Sequence, residues 1–199
     1  MAVLDFGFTS FVIPEGYARM KPMPQDSDGS VVFGTDTDMA QGYFIIFTLD
    51  FHEAMPFDND QVVIDSIHHY LNSNQGLIEV NSGTTQLGRR FVYSIIKTVM
   101  PQQGVQYSVT LQIEYDDCII NLQGPFSEVG TIGIRDATIY EMIQRENKDK
   151  IAWMQDPYDS SFENEILMNY SEQRRFDQAF PTHPLSQARQ AIDFIIENN

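Results

Sequence analysis

The sequence predicts an α+β fold, an antiparallel sheet of about six strands packed by helices as an α/β/α sandwich, with a C-terminal helical tail. Three observations carry this reading. Residues 105–115 alternate apolar and polar without a miss, the period of a strand with one buried face. Val63, Ile67, Tyr70 and Leu71 recur at helical spacing before that strand, and Ile134, Ala137, Ile139, Tyr140, Met142 and Ile143 do so after it. Short polar turns separate the apolar runs, so successive strands pair as antiparallel hairpins.

Taken in order, Phe6 to Ile13 is aromatic and β-branched and stops at Pro14-Glu15-Gly16, which predicts a first strand ending in a turn. Residues 22–30 read as a polar loop. A short strand at Ser30 to Phe33 and a longer one at Gly42 to Phe51 flank an Asp-rich connection, and the near-continuous apolar character of the second predicts that both its faces are covered. Asp58 with Gln61 forms a capping-box pattern that starts a helix over residues 59–74, and Gly76 sits where a left-handed residue would end it. Strands follow at Ile78 to Ser82, within Thr84 to Met100, at Val105 to Tyr115 and at Cys118 to Gln123, the last ended by Gly124-Pro125. A second helix spans Gly133 to Asn147 and is expected to cross the sheet, with Arg145, Lys148 and Lys150 near its negative end. Beyond it, Ser171 caps a short helix holding Phe176 and Phe180. Pro184 opens a last helix whose Leu185, Ala188, Ile192, Ile195 and Ile196 form one apolar face. The division expected is an α+β domain over residues 1–150 and an acidic, aromatic-rich tail over 151–199, packed on the domain or on a partner.

The opening strand with Phe11-Val12-Ile13-Pro14-Glu15-Gly16-Tyr17, then a hairpin, a helix, a run of antiparallel strands and a closing helix, resembles the PsbP-like superfamily, which includes the DcrB-like and Mog-type proteins. The resemblance covers about residues 5–147. It implies an antiparallel sheet sandwiched by helices and a role in binding protein partners, such as a photosystem, a small GTPase or secreted effectors. It transfers no catalytic residues, because the superfamily has no common catalytic motif. The chain from Trp153 onward has no counterpart in that pattern.

Composition narrows the function classes. The 199 residues hold 28 Asp and Glu against 12 Lys and Arg, a formal net charge of −16 that repels nucleic acid and anionic membranes, so neither is expected as a partner. With 42% hydrophobic and 12% aromatic residues the chain is expected to fold. Its one cysteine forms no internal disulfide, and no zinc pattern is present. The N-terminal segment lacks the basic and apolar regions of a signal peptide, and the run Tyr43 to Leu49 is far shorter than the ~20 residues of a membrane helix, so residence in the cytoplasm is expected. Residues 1–88 hold 12 acidic and 2 basic side chains, 89–150 hold 8 and 7, and 151–199 hold 8 and 3. Two acidic regions repel, so the tail is expected over the middle strands near Arg89, Arg90 or Arg135.

No catalytic, cofactor-binding or metal-binding residue is assigned from the sequence, and no cofactor is expected. Cys118 opens the apolar run Cys-Ile-Ile-Asn-Leu, where a free cysteine serves as a small core residue. His68 and His69 are adjacent on a helix and point ~100° apart, so they do not chelate one ion. Asp26, Asp28, Asp36 and Asp38 alternate like calcium ligands, but the glycine and glutamate of such a loop are misplaced. Gly130, Gly133 and Arg135 faintly suggest a phosphate site, against which Glu128 stands close by. Asn169-Tyr170-Ser171 fits the glycosylation triplet, a pattern common by chance.

The tail is the most informative stretch. Trp153, Tyr158, Phe162, Phe176, Phe180 and Leu185 are large apolar groups in an acidic, proline-broken segment, and they need burial on the chain's own sheet or on a partner. These six are the candidate docking residues. The leading expectation is a non-enzymatic protein-binding module, an adaptor or a chaperone, that uses an exposed sheet face or the groove between tail and sheet. The alternatives are a hydrolase built from carboxylates of the acidic N-terminal half, and a homodimer with an exchanged C-terminal arm.

Overall fold

Seven strands hydrogen-bond into one wholly antiparallel sheet in the computed structural model, which describes residues 2–7, 9–24, 26, 29–101, 103–145 and 151–199. The strands of the chain are β1 (Ala2–Asp5), β2 (Ser10–Ile13), β3 (Ala18–Met20), β4 (Val31–Asp36), β5 (Ala40–Leu49), β6 (Gln75–Thr84), β7 (Arg90–Met100), β8 (Gly104–Glu114) and β9 (Ile119–Glu128). The helices are α1 (Asp60–Tyr70), α2 (Ile134–Arg145) and α3 (Pro184–Asn198). The large sheet runs β3-β4-β5-β9-β8-β7-β6. Two hairpin series therefore meet where β9 returns beside β5, and the link from β5 to β6 carries α1 to the far edge. No helix among the described residues is long and apolar enough to cross a membrane.

The fold class is the one expected, with one strand more in the sheet and a separate hairpin. The first predicted strand, Phe6 to Ile13, is shortened to β2, and β1 precedes it across a turn. Gly7 takes φ 82, its N–H is held by the Asp5 carboxylate at 2.7 Å, and β1 pairs with β2 as a sheet of their own. The helix α1 starts one residue later than Asp58, because that carboxylate is committed to Arg90 at 2.7 Å. Asn59 caps instead, accepting from the Val62 N–H at 3.3 Å, while Gln61 donates to Asp65 rather than back to the cap. Gly76 does not end α1, which stops at Tyr70; it lies in β6, where a Cβ would stand 2.9 Å from the Ile166 carbonyl oxygen.

Gly124-Pro125 does not end β9. On the β8 side pairing runs through Pro125 opposite Ser108, whereas on the β5 side it lapses between Gly42 opposite Phe126 and Ile45 opposite Gln123 and resumes in the same register. Pro125 has no N–H to give to β5, and a Cβ at Gly124 would lie 1.9 Å from the Tyr43 carbonyl oxygen. The strand continues through these two residues to Glu128. The predicted end of the second helix, with Lys148 and Lys150, and the expected boundary at residue 150 fall in 146–150, outside the described residues, as does Asp28.

Alternation sorts the sheet's side chains onto two faces. One face carries Phe33, Phe44, Ile46, Tyr93, Ile95, Tyr107, Val109, Leu111, Ile113, Leu122 and Phe126 into a single cluster with Leu185, Ala188, Ala191, Ile192 and Ile195 of α3. Phe11 and Ile13 of β2 join it. The smaller cluster on the opposite face sets Val63 and Ile64 of α1 against Leu77, Val80 and Val92 of β6 and β7. The strand β5 follows this division: Phe44 and Ile46 are buried toward α3, while Tyr43, Ile45 and Phe47 are half-buried on the other side, so the expectation of two covered faces is met on one.

Each large aliphatic of α3 sealed against the sheet contributes ~1.5–3 kcal/mol. Ile192 has no exposed surface. Ile192→Ala is expected to lower the unfolding free energy by ~2–5 kcal/mol, read as an earlier urea midpoint with an unchanged slope.

Candidate functional site

Charged groups line the seam between the sheet and residues 151–199. Glu172, with no exposed surface, sits in a 3₁₀ turn over Tyr170–Glu172. Its carboxylate accepts from Lys97 Nζ of β7 at 3.1 Å, from the Tyr107 hydroxyl of β8 at 2.8 Å and from the Asn169 backbone N–H at 2.6 Å. Lys97 also donates to the Leu167 carbonyl at 3.4 Å. Burial and the Glu172 carboxylate hold the Tyr107 phenol far above its usual range, so it stays a donor. The triplet Asn169-Tyr170-Ser171 is spent on the fold. Asn169 is buried and donates to Asp136 of α2 at 3.0 Å, and the Ser171 hydroxyl donates to the same carboxylate.

Arg135 is the second buried charge, fully enclosed. It donates to the carbonyls of Ser171 at 2.8 Å and Gln173 at 3.2 Å and to the Ser186 hydroxyl at 3.0 Å, and it pairs with Asp177 at 2.9 Å. Asp177 also receives Arg189 of α3, which reaches Glu79 of β6 at 2.7 Å. Arg174 pairs with both Glu79 and Asp193. Of the three arginines expected to receive the tail, Arg135 does. Arg90 is occupied by Asp58 and Glu114, and Arg89 lies over the Tyr115 ring. The tail also meets the acidic N-terminal half, because its own Arg174 and Arg189 turn toward Glu79.

Two carboxylates of the seam have depressed pKa values. Burial works against ionisation of Glu79, but Arg189, the Tyr93 hydroxyl and Arg174 outweigh it and leave the group below its ordinary value. Burial likewise opposes the charge on Glu128, and the His183 side chain with the backbone N–H groups of Gly133 and Val105 reverses the balance. Glu128 stands 3.6 Å from His183, the residue that caps α3. Because the Gly133 N–H goes to Glu128 at 3.0 Å, the anion near the start of α2 is the chain's own carboxylate.

The six candidate docking residues are spread along this seam. Leu185 is sealed in the core. Trp153, half-buried, meets Tyr140 of α2 edge-on at 5.2 Å. Phe162 stacks on His68 at 4.0 Å, and Phe176 tilts against Tyr170 at 5.8 Å. Phe180 lies beneath the Arg135 guanidinium at 5.9 Å. Tyr158 is exposed over its ring, yet its hydroxyl bonds the Val80 backbone. What single-residue inspection missed were Lys97, Tyr107 and Glu172, whose only sequence signal is Lys97 on the apolar side of an alternating strand.

Other candidates resolve into local roles. His68 pairs with Asp156 at 2.9 Å while His69 is exposed, so the two do diverge. Burial and then Asp117 raise the Cys118 thiol, opposite to an activated nucleophile. Most carboxylates of the acidic N-terminal half are taken by local partners or stand apart on the surface. Asp26 holds the Met23 N–H, Asp58 holds Arg90, and Asp36 and Asp38 are exposed at the β4–β5 turn. Asp50, His52 and Glu53 bring donor atoms within 4.8 Å of one another, all exposed. A groove of about 420 Å³ between β6, β7 and α3 is lined by Glu79, Phe91, Tyr93, Arg174, Asp193 and Glu197, where Arg174 pairs with both Glu79 and Asp193.

The remaining surface with a distinct character is the sheet face opposite α3. The apolar cluster under α1 joins β6 and β7 and does not extend to β4, β5 or β9. There Tyr43, Ile45 and Phe47 form a half-buried stripe with Gln123, Thr110 and Ser108 beside its upper part, while Val32 opposite Ile45 and Asn121 opposite Phe47 are buried. Asp36 and Asp38 flank the stripe at one end, and Asp50 and Glu53 at the other. All four are exposed and enter none of the ion pairs among the described residues.

No family model and no curated protein matches the chain. Among solved structures it is similar to the Ran-binding protein Mog1p of Saccharomyces cerevisiae, at 12% identity over 94% of this chain and 90% of that one, with a TM-score of 0.42. It is similar to a cyanobacterial PsbP from Synechocystis, at 14% identity over 70% and 83%, with a TM-score of 0.40. A Pseudomonas aeruginosa protein of unknown function is similar at 12% identity over 76% and 96%, with a TM-score of 0.39. Mog-type and PsbP-type chains, whose element order the sequence resembles, are thus among the similar structures. Likeness at this level concerns the arrangement of elements and bears on no site.

Glu172→Gln leaves Lys97 buried without its counter-charge and is expected to cost ~3–5 kcal/mol in urea unfolding at neutral pH. The double variant Lys97→Met with Glu172→Gln is expected to recover part of that loss. A carboxylate depressed in the folded state stabilises fully above its unfolded value, about 4.3, and loses that contribution as pH falls through the lower folded value. Stability is therefore expected to drop below about pH 4.3, and Glu79→Gln to make that drop shallower in pH-resolved urea titrations.

Proposed function

We propose that the chain is a protein-binding module that engages its partner through the β4–β5–β9 half of the sheet face opposite α3. The observation that carries this is the stripe Tyr43, Ile45 and Phe47, half-buried on a face where the α1 cluster reaches only β6 and β7. Aromatic and branched side chains on a rigid sheet cost little ordering entropy when a second surface covers them, and they are the residue types that anchor interfaces. Four exposed carboxylates that enter no ion pair among the described residues stand at the two ends of the stripe and complement a partner with basic side chains around an apolar centre. The charges of the tail seam are matched internally, so in this reading residues 151–199 build the scaffold and the open face makes the contact. Cytoplasmic residence remains the setting expected from the sequence.

The test compares capture of partners from native lysate by the wild-type chain, by Tyr43→Glu and Phe47→Glu, and by Trp153→Ala, each first shown to be folded by its thermal transition. The two face variants are expected to weaken the retained partner at least ~10-fold, about 1.4 kcal/mol. Trp153→Ala is expected to leave it unchanged, and raised salt to weaken it in the wild type. Equal capture by the face variants, or loss only with Trp153→Ala, would remove the basis for this reading.

A further inference from the structure

Residues 156–167 are fastened differently from the chain on either side of them. They leave and return through one neck. Gln155 N–H donates to the Met168 carbonyl at 2.9 Å, Met154 bridges to Asn169, and Tyr170 N–H donates to the Trp153 carbonyl at 2.8 Å. Just past the neck the chain is anchored by buried groups, Asn169 to Asp136 and Glu172 to Lys97. Between the two sides of the neck, Asp156 is the one buried residue. A segment with its ends tied together and most of its side chains in solvent is an Ω-loop in form, and few buried contacts oppose its lifting.

What the loop covers is the outer edge of β6, the last strand of the sheet. The Val80 N–H donates to the Tyr158 hydroxyl oxygen at 2.6 Å, and the same hydroxyl donates to the Val80 carbonyl at 2.9 Å. One phenol thus occupies both main-chain groups that a further strand would take. The Asn164 amide donates to the carbonyls of Gln75 at 2.9 Å and Asn72 at 3.0 Å. His68 receives Phe162 on its ring and Asp156 at its Nε2. The backbone of Ile166 and Leu167 rests on Gly76, the strand position where a Cβ would crowd the Ile166 carbonyl at 2.9 Å.

We infer that residues 156–167 are a cover for the β6 edge that opens as a unit about the Gln155–Met168 neck, while residues 169–183 and α3 stay seated, and so exposes the main-chain donor and acceptor of Val80. The inference is independent of the binding face proposed above, which lies at the other side of the sheet. Its contacts to the body are side-chain hydrogen bonds, one ring stack and one imidazole–carboxylate pair, and the one it shares with the Glu172 seam is the long Lys97 donation to the Leu167 carbonyl at 3.4 Å, at the end of the loop beside the neck.

Native-state hydrogen exchange on the full chain tests it, with the Val80 amide as reporter and the Leu111 and Leu122 amides of the central strands as the reference for global unfolding. The Val80 amide is expected to be protected at least ~100-fold less than Leu111. Tyr158→Phe, which removes both hydrogen bonds, and Gly76→Ala, which lifts the loop without touching them, are each expected to lower Val80 protection a further ~10-fold and leave Leu111 unchanged. A Val80 amide that exchanges at the rate of Leu111 in the wild type would overturn the inference. So would variants that change Val80 no more than Leu111.

Discussion

A carboxylate with no access to water, Glu172, is tied at once to two adjacent strands and to its own turn. An ion moved from water into a protein interior costs several kcal/mol, and that cost is met only when its partners hold fixed positions. Lys97 and Tyr107 are fixed because β7 and β8 are central in the sheet, and Asn169 is fixed because Asp136 holds its side chain. The site therefore forms only when the sheet, α2 and the chain after it are all in place. Arg135 repeats the logic on the other side of the turn, with Asp177 and two carbonyls as its partners.

That polar seam and the apolar face of α3 divide the work. Hydrophobic burial of Leu185, Ile192 and Ile195 supplies free energy but little direction, since aliphatic contacts tolerate rotation and sliding. Arg189, on the same helix, reaches Glu79 and Asp177 and sets how the helix sits. Charge pairs of this kind act through geometry more than through net stability. The loop over β6 differs from both: it has no buried apolar face, and its one buried charge, Asp156, is held by His68 and otherwise by the loop's own Tyr158 and Asp159 N–H groups.

Much of the fold was legible in the sequence because strands and helices announce themselves by period. The alternation in residues 105–115 and the stripe of α3 depend only on which side of an element meets water. Failures occurred where a residue's partner lay far away in the chain. Asp58 looks like a cap until Arg90 claims it, and Gly76 looks like a helix stop until Ile166 is seen against it. Gly124-Pro125 reads as a strand end because local propensity knows nothing of β8, which supplies pairing on the side where proline needs no N–H.

The candidate site divides in the same way. Composition and pattern by themselves determined an acidic α+β chain with a single cysteine, an aromatic tail in need of burial, and Arg89, Arg90 or Arg135 as the cations that could receive it. Those conclusions rest on the counts and spacing of residues, which are one-dimensional quantities. Only the tertiary structure decided that Lys97 and Glu172 are buried together and that Tyr158 spends its hydroxyl on the edge of β6. It also decided that Tyr43, Ile45 and Phe47 lie on the side of β5 that the α1 cluster does not reach. Each is a coincidence in space between segments far apart in sequence, set by the order in which the strands pair.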